Sequence, residues 1–270
     1  MKQKEKVVLH LWFDTQAMEA AQFYTSIFQN SKVIQSVKFS DTPSGEVELV
    51  SFSLENVRFE AISAGPFLSI NESMRLVVFC QSQKERDEYI NKLAGKVRSA
   101  ENMTMVEDRF GVHWLFVMAS SQTKQLPKIC TLVDAYGKAE EMCDYYQGEF
   151  ATKTDVTSFK HNRWYVLELA GNPIIFADIS NGKSQYTGAL SLLYLCENQQ
   201  EIDSFYQGFS AEAASEQCGW IVDEYGISWQ IVPWMFLDFA QKLSPATYQK
   251  INQQILTMKK IEIAQIEQLI

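Results

Sequence analysis

The feature that most constrains the fold of this chain is a sequence motif that occurs twice. Residues 104–117 read TMVEDRFGVHWLFV and residues 219–233 read GWIVDEYGISWQIVP, with Asp, an aromatic residue, Gly and Trp at the same spacing in both. Three further pairs of segments match in the same order: 17–28 with 139–150, 54–61 with 170–177, and 77–90 with 193–206. Repeated matches in one order are the signature of an internal repeat. The sequence therefore predicts a tandem duplication.

The repeat divides the 270 residues into two copies and a tail. We predict a first domain at 1–118, a linker at 119–127, a second domain at 128–234 and a C-terminal helical extension at 235–270. The linker is polar, has no periodicity and ends in proline, as is typical of a connection. In the extension, Ser244 followed by Pro245 is typical of a helix start.

Each copy alternates helical and extended patterns in the same way. An amphipathic helix near its beginning carries Ala17, Tyr24 and Phe28 on one face in the first copy, because these positions follow helical spacing. Short runs rich in β-branched and aromatic residues surround it and a second helix, and such runs indicate strands. The order strand, helix, about three strands, occurring twice per copy, predicts an α+β fold with a mostly antiparallel sheet.

Composition excludes several classes of protein. A formal charge of −9 disfavours binding to nucleic acid, which requires clustered Lys and Arg. The sequence has no apolar run approaching the ~20 residues that a membrane helix needs. The five cysteines show no CxxC spacing and have apolar neighbours, so we expect buried free thiols and a cytoplasmic location. The sequence also lacks GxGxxG and GxxxxGK[ST] motifs, which argues against a nucleotide-binding loop.

Several segments resemble a known family. LWFDTQAMEAAQFYTSIFQNSKV at 11–33, QCGWIVDEYGISWQIVP at 217–233 and MKKIEIAQIEQ at 258–268 are similar to the PhnB-like (3-demethylubiquinone-9 3-methyltransferase-type) family of the glyoxalase/bleomycin-resistance/dioxygenase, or vicinal-oxygen-chelate, superfamily. The resemblance implies two tandem glyoxalase-like domains, each with two βαβββ modules forming a half-open barrel around a small-molecule pocket, plus C-terminal helices. It also implies an intrachain pseudo-dimer of the two domains, with a homodimer of chains as a further possibility.

Enzymes of that superfamily hold a divalent metal with His or Glu on the barrel strands. Carrying their positions over, within about a residue, gives six positions in this chain: Val7 and Ile129, Met74 and Leu190, and Leu115 and Gln230. Apolar side chains cannot ligate a divalent cation, and an amide is a weak ligand. We therefore predict no metal and no cofactor. The methyltransferase label is not supported by any glycine-rich loop after the first strand, where such enzymes need one.

The second copy supplies the predicted ligand-binding residues. If the carried-over geometry is right, Gln230 points into a pocket, and the period of two along a strand places Ser228 on the same face. Gln230 and Ser228 would orient a polar ligand, or Gln230 would instead join a hydrogen-bond network between strands. We expect aromatic walls from Trp220, Tyr194 and Phe176, although aromatic residues are more often part of a core.

The first copy offers a different pair of candidates. Alternation places His113 on the same face as Leu115, and Glu60 stands where the second copy has Phe176. A His–Glu pair could act as a general base, because the carboxylate fixes the tautomer of the imidazole. The alternative is a structural histidine. His10 is expected to face the helices, because its parity is opposite to that of Val7.

Three functions remain open at this stage. The first is a metal-free protein that binds a small, partly apolar molecule in a barrel pocket. The second is a metal-dependent lyase, isomerase or dioxygenase, with ligands such as His113 and Glu60. The third is a structural or partner-binding protein that uses the C-terminal helices, since one fold hosts many functions.

Overall fold

In a computed structural model, the described residues are 5–100, 103–151, 156–161, 164–169 and 171–270. The first copy contains β1 (Val7–Phe13), α1 (Ala17–Ile27), β2 (Lys32–Thr42), β3 (Gly45–Leu54), β4 (Val57–Ser63), β5 (Met74–Cys80), α2 (Gln83–Leu93), β6 (Lys96–Ala100), β7 (Met103–Glu107) and β8 (His113–Met118). The second contains β9 (Ile129–Asp134), α3 (Ala139–Ala151), β10 (Val156–His161), β11 (Trp164–Leu169), β12 (Asn172–Ala177), β13 (Leu190–Cys196), α4 (Gln199–Phe209), β14 (Trp220–Val222) and β15 (Ser228–Pro233). The extension contains α5 (Phe236–Lys242), α6 (Pro245–Leu256) and α7 (Ile263–Glu267).

The two copies begin their second helices in the same way. The Ser82 side chain accepts a hydrogen bond from the Glu85 N–H at the start of α2, and the Asn198 side chain accepts one from the Glu201 N–H at the start of α4. Such caps satisfy backbone donors that the first helical turn leaves unpaired. Ser244 caps α6 in the same manner and Pro245 follows it, which confirms the predicted helix start.

The strands form two mixed sheets, and each sheet takes strands from both copies. The seven-stranded sheet has the order β14-β15-β13-β1-β4-β3-β2, and the eight-stranded sheet has the order β10-β11-β12-β9-β5-β8-β7-β6. The junctions between copies are antiparallel: β1 pairs with β13, and β5 pairs with β9. Within a module the first and last strands pair in parallel, as β1 does with β4. The tandem glyoxalase-like α+β fold is confirmed, and neither sheet is a closed barrel, in keeping with the half-open barrels that the resemblance implies.

The core lies on the helix-covered faces of the sheets. It contains the largest fully buried side chains, among them Trp114 and Trp229. Trp114 stacks on Phe28 after α1, with ring centroids 5.1 Å apart, and Trp229 packs against Phe150 of α3 at 5.4 Å. Each tryptophan thus lies on the helix-covered face of its own sheet, as its parity predicts, and packs against a helix of the other sheet.

The repeated Asp anchors this core in each copy. Asp108 accepts hydrogen bonds from the Tyr24 hydroxyl and the Trp114 indole, both at 2.8 Å. Asp223 accepts the equivalent bonds from Tyr146 at 2.6 Å and from Trp229 at 2.7 Å. Each carboxylate also accepts two backbone N–H bonds from its own turn. In each copy, the Asp of the repeated motif therefore connects a helix on one sheet to a turn of the other sheet through hydrogen bonds.

The last module departs from the repeat. Residues 210–219 form turns and an isolated bridge where the first copy has β6, because SAEAASEQCG contains small and polar residues with little strand preference. All five cysteines are free, and four of them are buried, as expected. Among the described residues, no helix is long and apolar enough to cross a membrane.

Candidate ligand-binding cavity

A cavity of about 740 Å³ lies on the face of the seven-stranded sheet that is turned away from helices α1 and α4. Its floor comes from strands of both copies: β1, β2, β3 and β4 of the first and β13, β14 and β15 of the second. Most of the lining side chains are aliphatic or aromatic. A concave apolar site of this size, with a few polar groups, is the usual form of a small-molecule pocket.

Three adjacent strands bring a polar cluster to the cavity floor. The Gln230 Nε2 donates to the Ser191 Oγ at 3.0 Å, and that hydroxyl lies 3.4 Å from the His10 Nδ1. All three residues are buried, and His10 and Gln230 line the cavity. Burial lowers the pKa of His10 to about 3, because an apolar environment disfavours the charged imidazolium. The imidazole is therefore neutral at pH 7.

Glu60 lies beside this cluster, because β4 pairs with β1 in the register that sets it opposite His10. Its Oε1 accepts from the Arg58 Nε at 2.7 Å and its Oε2 accepts from the Ser51 hydroxyl at 2.5 Å. Burial raises the pKa of Glu60, and the Arg58 charge and these hydrogen bonds oppose that rise. On the other side of His10, the Trp220 ring meets it edge to face at 5.9 Å.

The C-terminal extension covers the cavity from the side opposite the sheet. At the β2 edge, the Gln35 side chain donates to the Leu237 carbonyl oxygen at 3.1 Å. Near the β14 edge, the Cys218 and Gly219 N–H groups donate to the carbonyl oxygens of Met258 and Lys259 at 2.8 and 2.9 Å. The extension thus connects the two edges of the seven-stranded sheet and closes the gap between them.

Gly219 makes this closure possible. Its φ is +89°, and a Cβ added there would lie 3.0 Å from the Ile231 carbonyl oxygen and 3.0 Å from the Ile261 side chain. A larger residue would therefore be strained in this backbone conformation and would push Ile261 away. Ile261 is fully buried and lines the cavity.

The corresponding face of the eight-stranded sheet is filled with apolar side chains. Leu132 on β9 pairs with Ile175 on β12, as His10 pairs with Glu60. Leu115 on β8 occupies the position of Gln230, and these three residues belong to one buried apolar cluster with Cys130, Val166 and Trp164. Arg75 stands where the other sheet has Ser191, and its Nη1 lies 3.0 Å from the Asp134 Oδ2.

The comparisons with known proteins agree with this architecture. A family model described as 3-demethylubiquinone-9 3-methyltransferase matches residues 5–117 and again residues 128–232. The chain belongs to this family, the PhnB-like branch of the vicinal-oxygen-chelate superfamily. No curated protein matches it.

Solved structures include relatives of one copy and of the whole chain. A putative 3-demethylubiquinone-9 3-methyltransferase, the PhnB protein of Bacillus cereus, is 24% identical; the match covers 42% of this chain and 98% of that one, with a TM-score of 0.38. Glyoxalase I of Zea mays is 9% identical; the match covers 86% of this chain and 94% of that one, with a TM-score of 0.55. The second likeness extends over both copies and shows the fold alone.

In this PhnB-like chain, the predicted site residues separate into two groups. Gln230, Ser228, Trp220 and Glu60 line the cavity. Tyr194 instead lies on the helix-covered face, where its ring is 4.2 Å from that of Phe205 on α4. The reason is alternation along β13, which turns Leu193 to the cavity and Tyr194 away from it.

Phe176 also lies outside the cavity, in the core, where it stacks on Tyr146 at 5.1 Å. The repeat alignment paired Phe176 with Glu60, but the hairpins begin β4 at Val57 and β12 at Asn172, so Ile175 is the true counterpart of Glu60. An error of one residue in a strand reverses the face of every side chain.

The proposed His113–Glu60 pair does not form. His113 begins β8 in the eight-stranded sheet, opposite Glu107 of β7, whereas Glu60 belongs to the seven-stranded sheet. The prediction was wrong because the two modules of one copy do not share a sheet. Burial lowers the pKa of His113, although the Glu107 charge opposes this.

The prediction for His10 was wrong as well. It lines the cavity, and Val7 packs in the helix-side core. Ile129, Met74 and Leu190 lie in that core too, so the first- and fifth-strand positions carried over from the superfamily fall on the wrong face. Alternation along β1 identifies the face of His10. One face carries Val8, His10 and Trp12, whereas the other carries the aliphatic Val7, Leu9 and Leu11.

The residues at these positions do not fit a divalent metal. His10 and Glu60 are strong ligand types, but Glu60 is paired with Arg58, and a serine and an amide complete the set. Among the described residues, no group of three or more His, Cys, Asp or Glu side chains could hold a metal ion. A cation beside the Arg58 guanidinium would also be repelled.

Proposed function

We propose that this chain binds a small, largely apolar molecule in the cavity of the seven-stranded sheet, without a metal ion. The observation that carries the proposal is the combination of about 740 Å³ of space with a buried polar cluster on its floor, formed by His10, Ser191 and Gln230. Apolar walls supply affinity through burial of surface, and a few polar groups fix the orientation of a ligand.

The two alternatives receive less support. Metal-dependent lyase, isomerase or dioxygenase chemistry needs a ligand set that His10, Glu60, Ser191 and Gln230 do not supply. A partner-binding role for the extension would be favoured by an exposed apolar stripe. Four of its apolar residues are buried instead, namely Ile251, Met258, Ile261 and Ile266, and Ile270 is the one large apolar residue that is exposed among those described in the extension.

The test is a thermal-shift screen of the full chain against neutral aromatic and aliphatic metabolites. A ligand present at a hundred times its Kd adds about 2.7 kcal/mol of stability, which raises the Tm by roughly 5–10 °C for a chain of this size. Chelator treatment should leave both the shift and the starting Tm unchanged. Stoichiometric Zn, Ni, Mn or Fe in the purified protein would overturn the metal-free part of the proposal.

A matched pair of variants assigns the ligand to this cavity. Ser228→Phe fills the cavity from a lining position, and His113→Phe places the same side chain at the equivalent position of the eight-stranded sheet. We expect the shift to disappear in the first variant and to persist in the second. A shift that survives Ser228→Phe and is lost in His113→Phe would place the binding site elsewhere.

A further inference from the structure

The described residues that line the cavity include an acidic side chain but no basic Lys or Arg. Glu60 is the sole carboxylic acid among these described residues. The remaining ionisable lining groups are neutral at pH 7: burial lowers the pKa of His10 to about 3, raises that of Tyr248 to about 12 and raises that of the Cys218 thiol. The walls therefore provide no positive charge to a ligand.

The cation that contacts the lining residue Glu60 already forms an ion pair with it. Arg58 lies on β4 two residues before Glu60, outside the cavity lining, and its guanidinium contacts both the Glu60 Oε1 at 2.7 Å and the Ser51 Oγ at 3.3 Å. This ion pair is largely shielded from water, with side-chain exposures of 21% for Arg58 and 11% for Glu60. The Glu60 carboxylate balances the positive charge of Arg58. Arg58 therefore offers no net positive charge to an anionic ligand.

From this arrangement we infer that the cavity selects uncharged ligands and rejects anions; the inference rests on the proposed function. A carboxylate, sulfonate or phosphate that entered would lose its hydration without gaining a counter-charge. It would also meet the Glu60 carboxylate in an environment that screens charge poorly. The net charge of −9 opposes its approach from solution as well.

The same floor suits neutral polar groups. Gln230 and Ser228 present amide and hydroxyl groups, and the uncharged imidazole of His10 has one donor and one acceptor nitrogen. A hydroxyl, carbonyl or amide on an otherwise apolar body would be matched by these groups. The ligand class is thus a neutral aromatic or aliphatic molecule with one or two hydrogen-bonding groups.

Two fluorescent probes with the same scaffold test this. N-phenyl-1-naphthylamine is neutral, and 1-anilinonaphthalene-8-sulfonate adds one sulfonate. Each is titrated into the full chain, and the component that Ser228→Phe abolishes is taken as cavity binding. We expect the neutral probe to bind at least tenfold more tightly than the sulfonate in that component.

A charge variant then identifies the cause. Glu60→Gln leaves the Arg58 charge unbalanced, so the sulfonate should gain at least threefold in affinity while the neutral probe changes little. Glu48→Gln is the control, because Glu48 lies on the neighbouring strand β3, does not line the cavity and carries the same charge. It should leave both affinities unchanged.

The outcomes separate the two proposals. No cavity binding by either probe overturns the proposed function. Equal cavity affinities for the two probes overturn charge selection and leave the proposed function standing. If Glu60→Gln is unfolded by circular dichroism, the wild-type probe comparison alone decides.

Discussion

The two sheets of this molecule are built from duplicated strands, yet they differ on the face away from the helices. The seven-stranded sheet places His10, Glu60 and Gln230 there and leaves a cavity. The eight-stranded sheet places Leu132, Ile175 and Leu115 at the same positions and packs them into a solid cluster. The helix-covered faces have stayed alike, with one Tyr–Asp–Trp arrangement in each copy. The two copies thus share the same helix-side core, whereas on the other face one sheet has a cavity and the other has packed apolar side chains.

The largest predicted effect concerns the ion pair that replaces the polar cluster in the filled sheet. Asp134→Ala leaves Arg75, which is 2% exposed, with the partly exposed Glu72 at 3.5 Å in place of its buried carboxylate partner. We expect a loss of about 4 kcal/mol in the free energy of unfolding, measured with urea, because breaking a buried ion pair is strongly destabilising. Asp203→Ala, which removes an exposed partner of Lys260, is the control and should cost under about 1 kcal/mol. Equal costs would show that the pair is dispensable.

Exchanging the residues at one equivalent position tests the comparison directly. Leu115→Gln buries an amide in an apolar cluster and should cost about 3 kcal/mol. Gln230→Leu removes an amide that lines the cavity and donates to the buried Ser191 hydroxyl, and it should cost about 1 kcal/mol because that hydroxyl keeps His10 as a neighbour. Urea unfolding of both variants measures the difference. If Leu115→Gln were tolerated as well as Gln230→Leu, the second sheet would not be as closely packed as described.

The pH dependence of stability should report on His10. Its pKa is about 3 in the folded chain and about 6.5 when unfolded, so the folded state disfavours the proton. Stability is therefore unaffected above about pH 6.5 and falls by about 1.4 kcal/mol for each pH unit below it, until about pH 3. His10→Leu, which copies Leu132, should remove this slope, as seen by comparing unfolding of the two proteins at pH 6.5 and 5.5. Parallel pH profiles would mean that His10 is hydrated.

The smallest effect should be the same in both halves. Ser82→Ala and Asn198→Ala each remove the side chain that caps the second helix of a copy, and each should cost about 1 kcal/mol. Lys84→Ala on the exposed surface of α2 serves as the control, with little change expected. If the two losses in free energy of unfolding differed by more than twofold, the caps of the two duplicated helices would not contribute equally to stability.

The sequence was sufficient for several features that depend on local pattern. The family resemblance placed Gln230 in a pocket, alternation from that position turned Trp114 and Trp229 toward the helices, and the Ser244–Pro245 pair marked α6. The repeat itself predicted that the fold occurs twice.

The predictions that failed needed either long-range pairing or the exact register and face of a strand. Single-strand patterns do not reveal that β1 joins β13 and that β5 joins β9, so His113 and Glu60 were paired across two different sheets. The repeat alignment was shifted by one residue at β12, which turned Phe176 to the wrong face. His10 was missed because both faces of β1 are buried, and burial on both sides hides which one is open.

The exchange of strands between copies has a consequence for how the chain forms during synthesis. When only the first copy has left the ribosome, β1 and β5 each still lack the neighbour that the second copy will supply. Unpaired strand edges of this kind can pair with other chains, so we expect the first copy alone to aggregate more readily than the whole chain. Cutting the linker would yield two fragments that must associate to complete both sheets, because each sheet takes strands from both copies.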